Sequence, residues 1–159
     1  MTHGAKLAHT NLSYVNLTGD DFSEADFRGT NLAHATLKGT NLTRAHLERA
    51  DLRGDNLEMA NLREAKLSGA DLRDADLQGA DLTRADLARA KLGGAKLGGA
   101  DLRRADLRDC DVAAARALDG ADLRGAQGLS RAQEATPQRR AAVVDDGAET
   151  GDQHTDADG

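Results

Sequence analysis

Large apolar residues recur at every fifth position from Leu7 to Val112, which makes 22 consecutive centres without a change of phase. Nineteen of these centres are Leu, two are Phe and one is Val. The residue two positions before each centre is small, and it is Ala in 15 of the 22 units. The residue between the two is Asp or Asn in 16 units. The chain therefore repeats a five-residue unit, A-[D/N]-L-x-x.

A period of five matches neither an α-helix nor a flat β-sheet, because neither can keep all of these centres on one side. The pattern is explained if three residues of each unit are extended, with the small and large residues inward and Asp or Asn outward, while two turn a corner. Asp and Asn suit this place because their side chains bond the local backbone. A chain that turns the same way every five residues forms a solenoid whose coils stack about 4.8 Å apart.

The repeated unit resembles the pentapeptide repeat family over about residues 5–127. The resemblance implies an all-β fold, a right-handed quadrilateral β-helix with four units and twenty residues per coil. About 5.5 to 6 coils would then form the rod. The five-residue period alone does not choose between three and four sides.

The solenoid is predicted to occupy residues 1–128. Its register changes after Val112, because Leu118 and Leu123 are one residue out of phase, and this predicts an insertion within residues 115–123.

The remaining chain divides into two predicted segments. Residues 129–137 are expected to form a short capping helix, with Ser130 at its N-cap and Pro137 at its end. Residues 138–159 have no period and are expected to be a disordered acidic tail. Residues 129–159 contain 3 Lys and Arg against 7 Asp and Glu, which accounts for −4 of the net charge of −6.

Charged residues twenty positions apart should stack into columns. One column reads Glu24, Arg44, Glu64, Arg84, Arg104, in which opposite charges alternate. In two other columns Lys91 falls between Asp71 and Asp111, and Lys96 follows Asp76. Exposed pairs of this kind contribute little stability each, but they keep like charges from stacking on one another.

Two carboxylates occupy inward positions that Ala usually fills, Asp20 and Asp55. A buried carboxylate is costly without partners, and Thr40 lies one coil beyond Asp20, where a hydrogen bond could offset part of the cost. Local water access at a bulge or at the end of the rod is the structural explanation for both. A functional site is the alternative.

Catalytic chemistry is not expected, so the protein is predicted not to be an enzyme and to need no cofactor or metal. His9, His34 and His46 have no ligand spacing, and Cys110 fills an inward small-residue position. Aromatic residues make up 2% of the chain, and basic residues are interleaved with acids, so direct nucleic-acid binding is not expected. Neither a secretory signal nor a membrane span is evident, which predicts a cytoplasmic protein.

The stretch AKLGGAKLGGA, residues 90–100, is the candidate partner-contact surface. It holds the register through two complete units, so it is neither a linker nor a phosphate-binding loop. Its corners are reduced to glycine, and lysine replaces the usual Asp. The resulting surface, called the glycine patch below, consists of Lys91, Gly93, Gly94, Lys96, Gly98 and Gly99.

These observations favour a non-enzymatic scaffold that binds an unidentified protein partner through its outer faces, as a monomer or weak homodimer. The resemblance implies an alternative, because some pentapeptide repeat proteins mimic DNA and modulate DNA gyrase or topoisomerase IV. Mimicry needs rows of carboxylates, and no face of this chain is strongly acidic.

Overall fold

The computed structural model describes residues 2–129, and these residues form a coil that repeats every twenty residues. Each regular unit contributes one parallel β-bridge to the residue twenty positions ahead, from Lys6 with Asp26 to Asp86 with Asp106. Twenty residues per coil and five per unit make four sides, as the resemblance implies. The right-handedness of the coil and the number of coils stay predictions.

Each corner is a four-residue β-turn that runs from one centre to the next small residue. In a representative turn the N–H of Ala45 donates to the carbonyl oxygen of Leu42 at 3.0 Å. The third residue of the turn has a positive φ at every fifth position from Gly4 to Asp109, as in a type II turn. Glycine adopts this conformation without strain, which explains why the second corner position is so often Gly.

Thirteen non-glycine residues also adopt positive φ at this corner. This conformation costs an L-residue about 1–2 kcal/mol, so contacts between the stacked coils must stabilise it. They do so through the backbone, because the corner N–H donates to the following coil, as from Arg84 to the carbonyl oxygen of Arg103 at 3.0 Å. The corner geometry is therefore imposed by stacking and not by local preference alone.

The core is a stack of inward Leu and Ala side chains, as the repeat predicts. Leu centres from Leu32 to Leu107 are at most 1% exposed, and Cys110 is buried as expected. Leu7, Leu12 and Leu17 are only partly buried because residues 2–129 contain no coil beneath the one to which they belong. Burying one such side chain contributes roughly 1.5–3 kcal/mol, so a regular column of them supplies most of the stabilisation.

The predicted insertion is confirmed, and it lies at residues 116–117. The last three bridges span 21 residues instead of twenty, beginning with Lys96 and Ala117. The N–H of Arg116 donates to the previous coil at 2.8 Å, while the carbonyl oxygen of Ala117 accepts from Leu97 at 2.8 Å. Two residues thus share a place that one residue normally fills, which is a β-bulge. A 3-10 helix, Val112–Ala114, forms the corner before it.

The prediction for the two inward aspartates is correct for Asp20 and wrong for Asp55. Asp20 is exposed near the open N-terminal end, whereas Asp55 is 1% exposed in the interior of the stack. The expected hydrogen bond between Thr40 and Asp20 is also wrong, because the Thr40 hydroxyl donates to the carbonyl oxygen of Leu17 at 2.7 Å. Water access explains the first carboxylate and not the second.

The predicted capping helix of residues 129–137 and the acidic tail of residues 138–159 lie outside the described residues, apart from Leu129.

Candidate interaction surface

The outward Asp and Asn side chains are occupied with their own corners. In sixteen units the Oδ1 atom accepts a hydrogen bond from the N–H of the residue two positions on, at 3.0–3.2 Å. This satisfies a corner donor that points away from the neighbouring coils. The repeat therefore favours Asp or Asn at this place for structural reasons, as the sequence predicts, although units with Lys, Thr or His there also form the regular bridges.

Six of these aspartates also pair with an arginine at the first corner position. The guanidinium donates hydrogen bonds to both carboxylate oxygens. In Arg103, Nε donates to Asp101 Oδ1 at 2.9 Å and Nη2 donates to Asp101 Oδ2 at 2.6 Å. These hydrogen bonds hold the pKa of Asp101 below its ordinary value. The other pairs are Arg28–Asp26, Arg53–Asp51, Arg73–Asp71, Arg108–Asp106 and Arg124–Asp122. Much of the acidic character of the faces is thereby neutralised within the chain.

The glycine patch lacks these side-chain bonds. Because Lys91 and Lys96 replace the usual Asp, the N–H groups of Gly93 and Gly98 have no hydrogen-bond partner among residues 2–129. Within residues 6–110, no other two consecutive units lack the Asp or Asn bond. Two lysines and two free backbone donors therefore face outward together, which is a chemical feature that the sequence reading did not identify.

The glycines of the patch differ in how much space lies above them. A Cβ at Gly99 would meet nothing within 4 Å, whereas a Cβ at Gly94 would collide with the Asp74 carboxylate. At Gly93 the nearest atom to a Cβ is a side-chain carbon of Arg73, at 3.7 Å. Lys96 pairs with Asp76 at 3.5 Å, as the column predicts. Side chains from the preceding coil thus cover part of the patch.

A second candidate is an open groove of about 450 Å³ on the face that carries Leu82 and Leu102, and the sequence reading missed it. This arginine groove is lined by Arg63, Thr83, Arg84, Arg103, Arg104, Arg124 and Gly125. The signal was present in the sequence, since the alternation of Glu24, Arg44 and Glu64 is broken where Arg104 follows Arg84. The prediction that opposite charges alternate along this column is therefore wrong at its last step, from Arg84 to Arg104.

The remaining candidate residues stay apart from one another. His34 stacks on Tyr14 with ring centroids 5.3 Å apart, but His9 and His46 lie on another face. Burial raises the pKa of the Cys110 thiol to about 12. Within residues 2–129, no group of three or more His, Cys, Asp or Glu side chains is placed to hold a metal ion. No helix in this part of the chain has the length and apolar character needed to span a bilayer.

Asp55 is the one inward carboxylate that the stack encloses. Its Oδ1 atom accepts a hydrogen bond from the N–H of Ala35 at 3.0 Å, while Oδ2 has no hydrogen-bond partner among residues 2–129. Burial raises the pKa of Asp55 to about 8, against the opposing effect of the Ala35 hydrogen bond. The carboxyl group is therefore mainly protonated at neutral pH.

Comparison with known proteins identifies the repeat. A family model for pentapeptide repeats, in 8 copies, matches residues 3–39, 21–58, 56–94 and 85–126. A structure of trypsin-treated QnrB1, a plasmid-mediated fluoroquinolone resistance protein, has a TM-score of 0.52 at 20% identity, over 90% of this chain and 91% of that chain. At this identity the likeness shows the fold alone.

Two further solved structures are 30% identical to this chain. HetL, involved in heterocyst differentiation regulation in the cyanobacterium Nostoc, has a TM-score of 0.29 over 76% of this chain and 71% of that chain. A pentapeptide repeat protein of the Arabidopsis thaliana thylakoid lumen has a TM-score of 0.34 over 64% of this chain and 70% of that chain. No curated protein sequence matches the chain.

Proposed function

Since the chain belongs to the pentapeptide repeat family, we propose that it is a non-enzymatic scaffold that binds a protein partner through its outer faces, with the glycine patch as a contact surface. The observation that carries the proposal is that the N–H groups of Gly93 and Gly98, beside exposed Lys91 and Lys96, have no hydrogen-bond partner in the described part of the chain. Elsewhere in the regular coil an Asp or Asn oxygen usually satisfies this donor. A partner carbonyl or carboxylate oxygen can do the same here.

Glycine at these corners favours such contact because the corner residues have no side chain of their own, and only side chains of the preceding coil cover part of the patch. Backbone N–H groups are strong hydrogen-bond donors, and lysines add an unspecific attraction for acidic surfaces. The proposal needs no cofactor and no bond-making chemistry. It places the protein in the cytoplasm, where its single cysteine fits a reducing compartment.

The test is a quantitative pull-down from an extract of the source organism, comparing wild type with Gly93→Gln/Gly98→Gln. Both glycines tolerate a side chain, since neither has a positive φ and the nearest atom to a Cβ is 3.7 Å away at each. Ser68→Gln/Ala88→Gln is the matched control, because it alters the same corner position on the Leu67 face. We expect the patch variant to lose its partner while the control retains it. Equal recovery by all three proteins would refute the patch as a contact surface.

Modulation of DNA gyrase or topoisomerase IV is the alternative proposal. It is supported by a fold shared with QnrB1, described as a fluoroquinolone resistance protein. Against mimicry of DNA, six outward aspartates are already paired with arginines of the same chain. A supercoiling assay with purified gyrase, with and without quinolone, tests it. Unchanged supercoiling and cleavage at micromolar protein would exclude this function.

A further inference from the structure

The arginine groove interrupts an otherwise alternating ladder of charges. In the lower part of the column, the Arg44 guanidinium lies between two carboxylates, at 3.8 Å from Glu24 and 3.2 Å from Glu64. The next two residues of the same column are Arg84 and Arg104, which are both exposed. Like charges on neighbouring strands repel each other. The ladder thus lacks the carboxylate that would separate these two arginines.

Arg84 and Arg104 also differ from the other arginines of the groove in having no carboxylate of their own. Arg63 pairs with Asp81 at 3.5 Å, Arg103 with Asp101 at 2.6 Å and Arg124 with Asp122 at 2.5 Å. Among residues 2–129, neither Arg84 nor Arg104 makes an ion pair or a side-chain hydrogen bond. The groove therefore presents two uncompensated positive charges on successive coils.

We propose that the Arg84 and Arg104 pair is a binding site for a carboxylate in an acidic, extended segment of a partner protein. Successive coils of a solenoid lie about 4.8 Å apart, so two guanidinium groups on adjacent coils can share the oxygens of one carboxylate. This arrangement inverts the Glu24, Arg44, Glu64 ladder, in which one guanidinium is shared by two carboxylates. The inference rests on the proposed scaffold function and names the chemistry of one partner.

The surroundings of the groove select a peptide over a nucleic acid. Asp81, Asp101 and Asp122 line the same face, and their pairing with arginines leaves a surplus of only two positive charges. Duplex DNA carries one negative charge per about 1.7 Å of axis and needs a broad basic surface. Two positive charges between paired aspartates suit one or two carboxylates and are too few to neutralise a continuous row of phosphates. Bidentate pairing of guanidinium with carboxylate is also the pairing that this chain uses repeatedly.

The experiment follows the arginine side-chain NMR signals of the full chain, labelled with isotopic arginine, during titration with a hexaglutamate peptide. The signals of Arg84 and Arg104 are expected to shift and to saturate together. The Arg84→Gln/Arg104→Gln variant should bind the peptide about tenfold more weakly, because it removes charge-assisted hydrogen bonds. Arg49→Gln/Arg89→Gln is the matched control. Arg49 and Arg89 occupy the same positive-φ corner position as Arg84 and Arg104 but on another face, and their replacement also removes two positive charges. The control should bind like wild type.

Three outcomes overturn the proposal. Equal weakening by both double variants would show unspecific attraction to positive charge, and absence of binding would show that no site exists. Tighter binding of a short DNA duplex than of the peptide would assign the groove to nucleic acid. These results are distinguishable from failure of the scaffold function. If the peptide does not bind but Gly93→Gln/Gly98→Gln still loses its partner in the pull-down, only the groove proposal falls.

Discussion

The free energy of unfolding of the wild type should fall as the pH rises toward 8, and replacement of Asp55 by Ala should remove this fall. The carboxyl group is 1% exposed, one of its oxygens has no partner, and burial raises its pKa to about 8. In the unfolded chain the same carboxyl has an ordinary pKa of 3.8. Between about pH 4 and pH 8 the folded state therefore keeps a proton that the unfolded state has already released.

The sign and size of the effect follow from this difference. A group whose pKa is raised on folding stabilises the protein fully below its unfolded pKa, and this stabilisation is lost as the pH rises through the folded pKa. A rise from 3.8 to about 8 corresponds to about 6 kcal/mol, at 1.36 kcal/mol for each pKa unit. Water entering the stack beside the charged carboxylate would reduce the measured value. A loss of several kcal/mol is a large part of the 5–15 kcal/mol typical of folded domains.

The assay is urea denaturation of wild type and Asp55→Ala at unit steps from pH 5 to pH 9. The free energy of unfolding of the wild type, relative to the variant, should fall by up to about 1.4 kcal/mol per pH unit below pH 8. Asp20→Ala is the matched control, because Asp20 occupies the same repeat position but is exposed. Its difference from wild type should stay constant with pH. A constant difference for Asp55→Ala as well would refute the buried, protonated carboxyl.

Three further predictions concern the core, the thiol and the tail. Leu67→Ala should lower the free energy of unfolding by about 2–5 kcal/mol in urea denaturation, because Leu67 is fully buried between coils; a loss below about 1 kcal/mol would contradict this packing. The Cys110 thiol, with its pKa raised to about 12 by burial, should react with a thiol reagent at pH 8 only when the chain is denatured, and rapid labelling of the folded protein would show otherwise. Removal of residues 138–159 should leave the thermal transition nearly unchanged in a circular dichroism melt, and a large drop would show that the tail packs on the solenoid.

Much of the fold is predictable because the repeat is local. The Asp or Asn oxygen bonds an N–H only two residues away, and the corner closes over four residues, so each unit contains the information for its own turn. The same regularity predicts the glycine-rich corners and, from Leu118 and Leu123, the insertion. The position of the insertion, at Arg116 and Ala117, could be assigned only from the hydrogen bonds of the folded chain. The sequence of residues 115–123 allows one extra residue to be accommodated in several ways.

The candidate surfaces were only partly predictable. The glycine patch stands out as a departure from the repeat, yet the free donors of Gly93 and Gly98 become apparent only when all hydrogen bonds are assigned. The arginine groove depends on which arginines have partners. The sequence shows that Arg103 lies two residues after the aspartate it pairs with, but only the fold shows that Arg63 pairs with Asp81 of the next coil.

The five-residue unit, its inward and outward positions and the place of the corners can be predicted from the sequence, since these depend on contacts within one unit. What each position contacts depends on the folded coil, because each unit also pairs with a unit about twenty positions away. Asp20 and Asp55 occupy the same place in the repeat, but one lies near an open end and the other is enclosed by neighbouring coils. Depth in the stack is a property of the folded coil, and it controls which carboxyl group is removed from water.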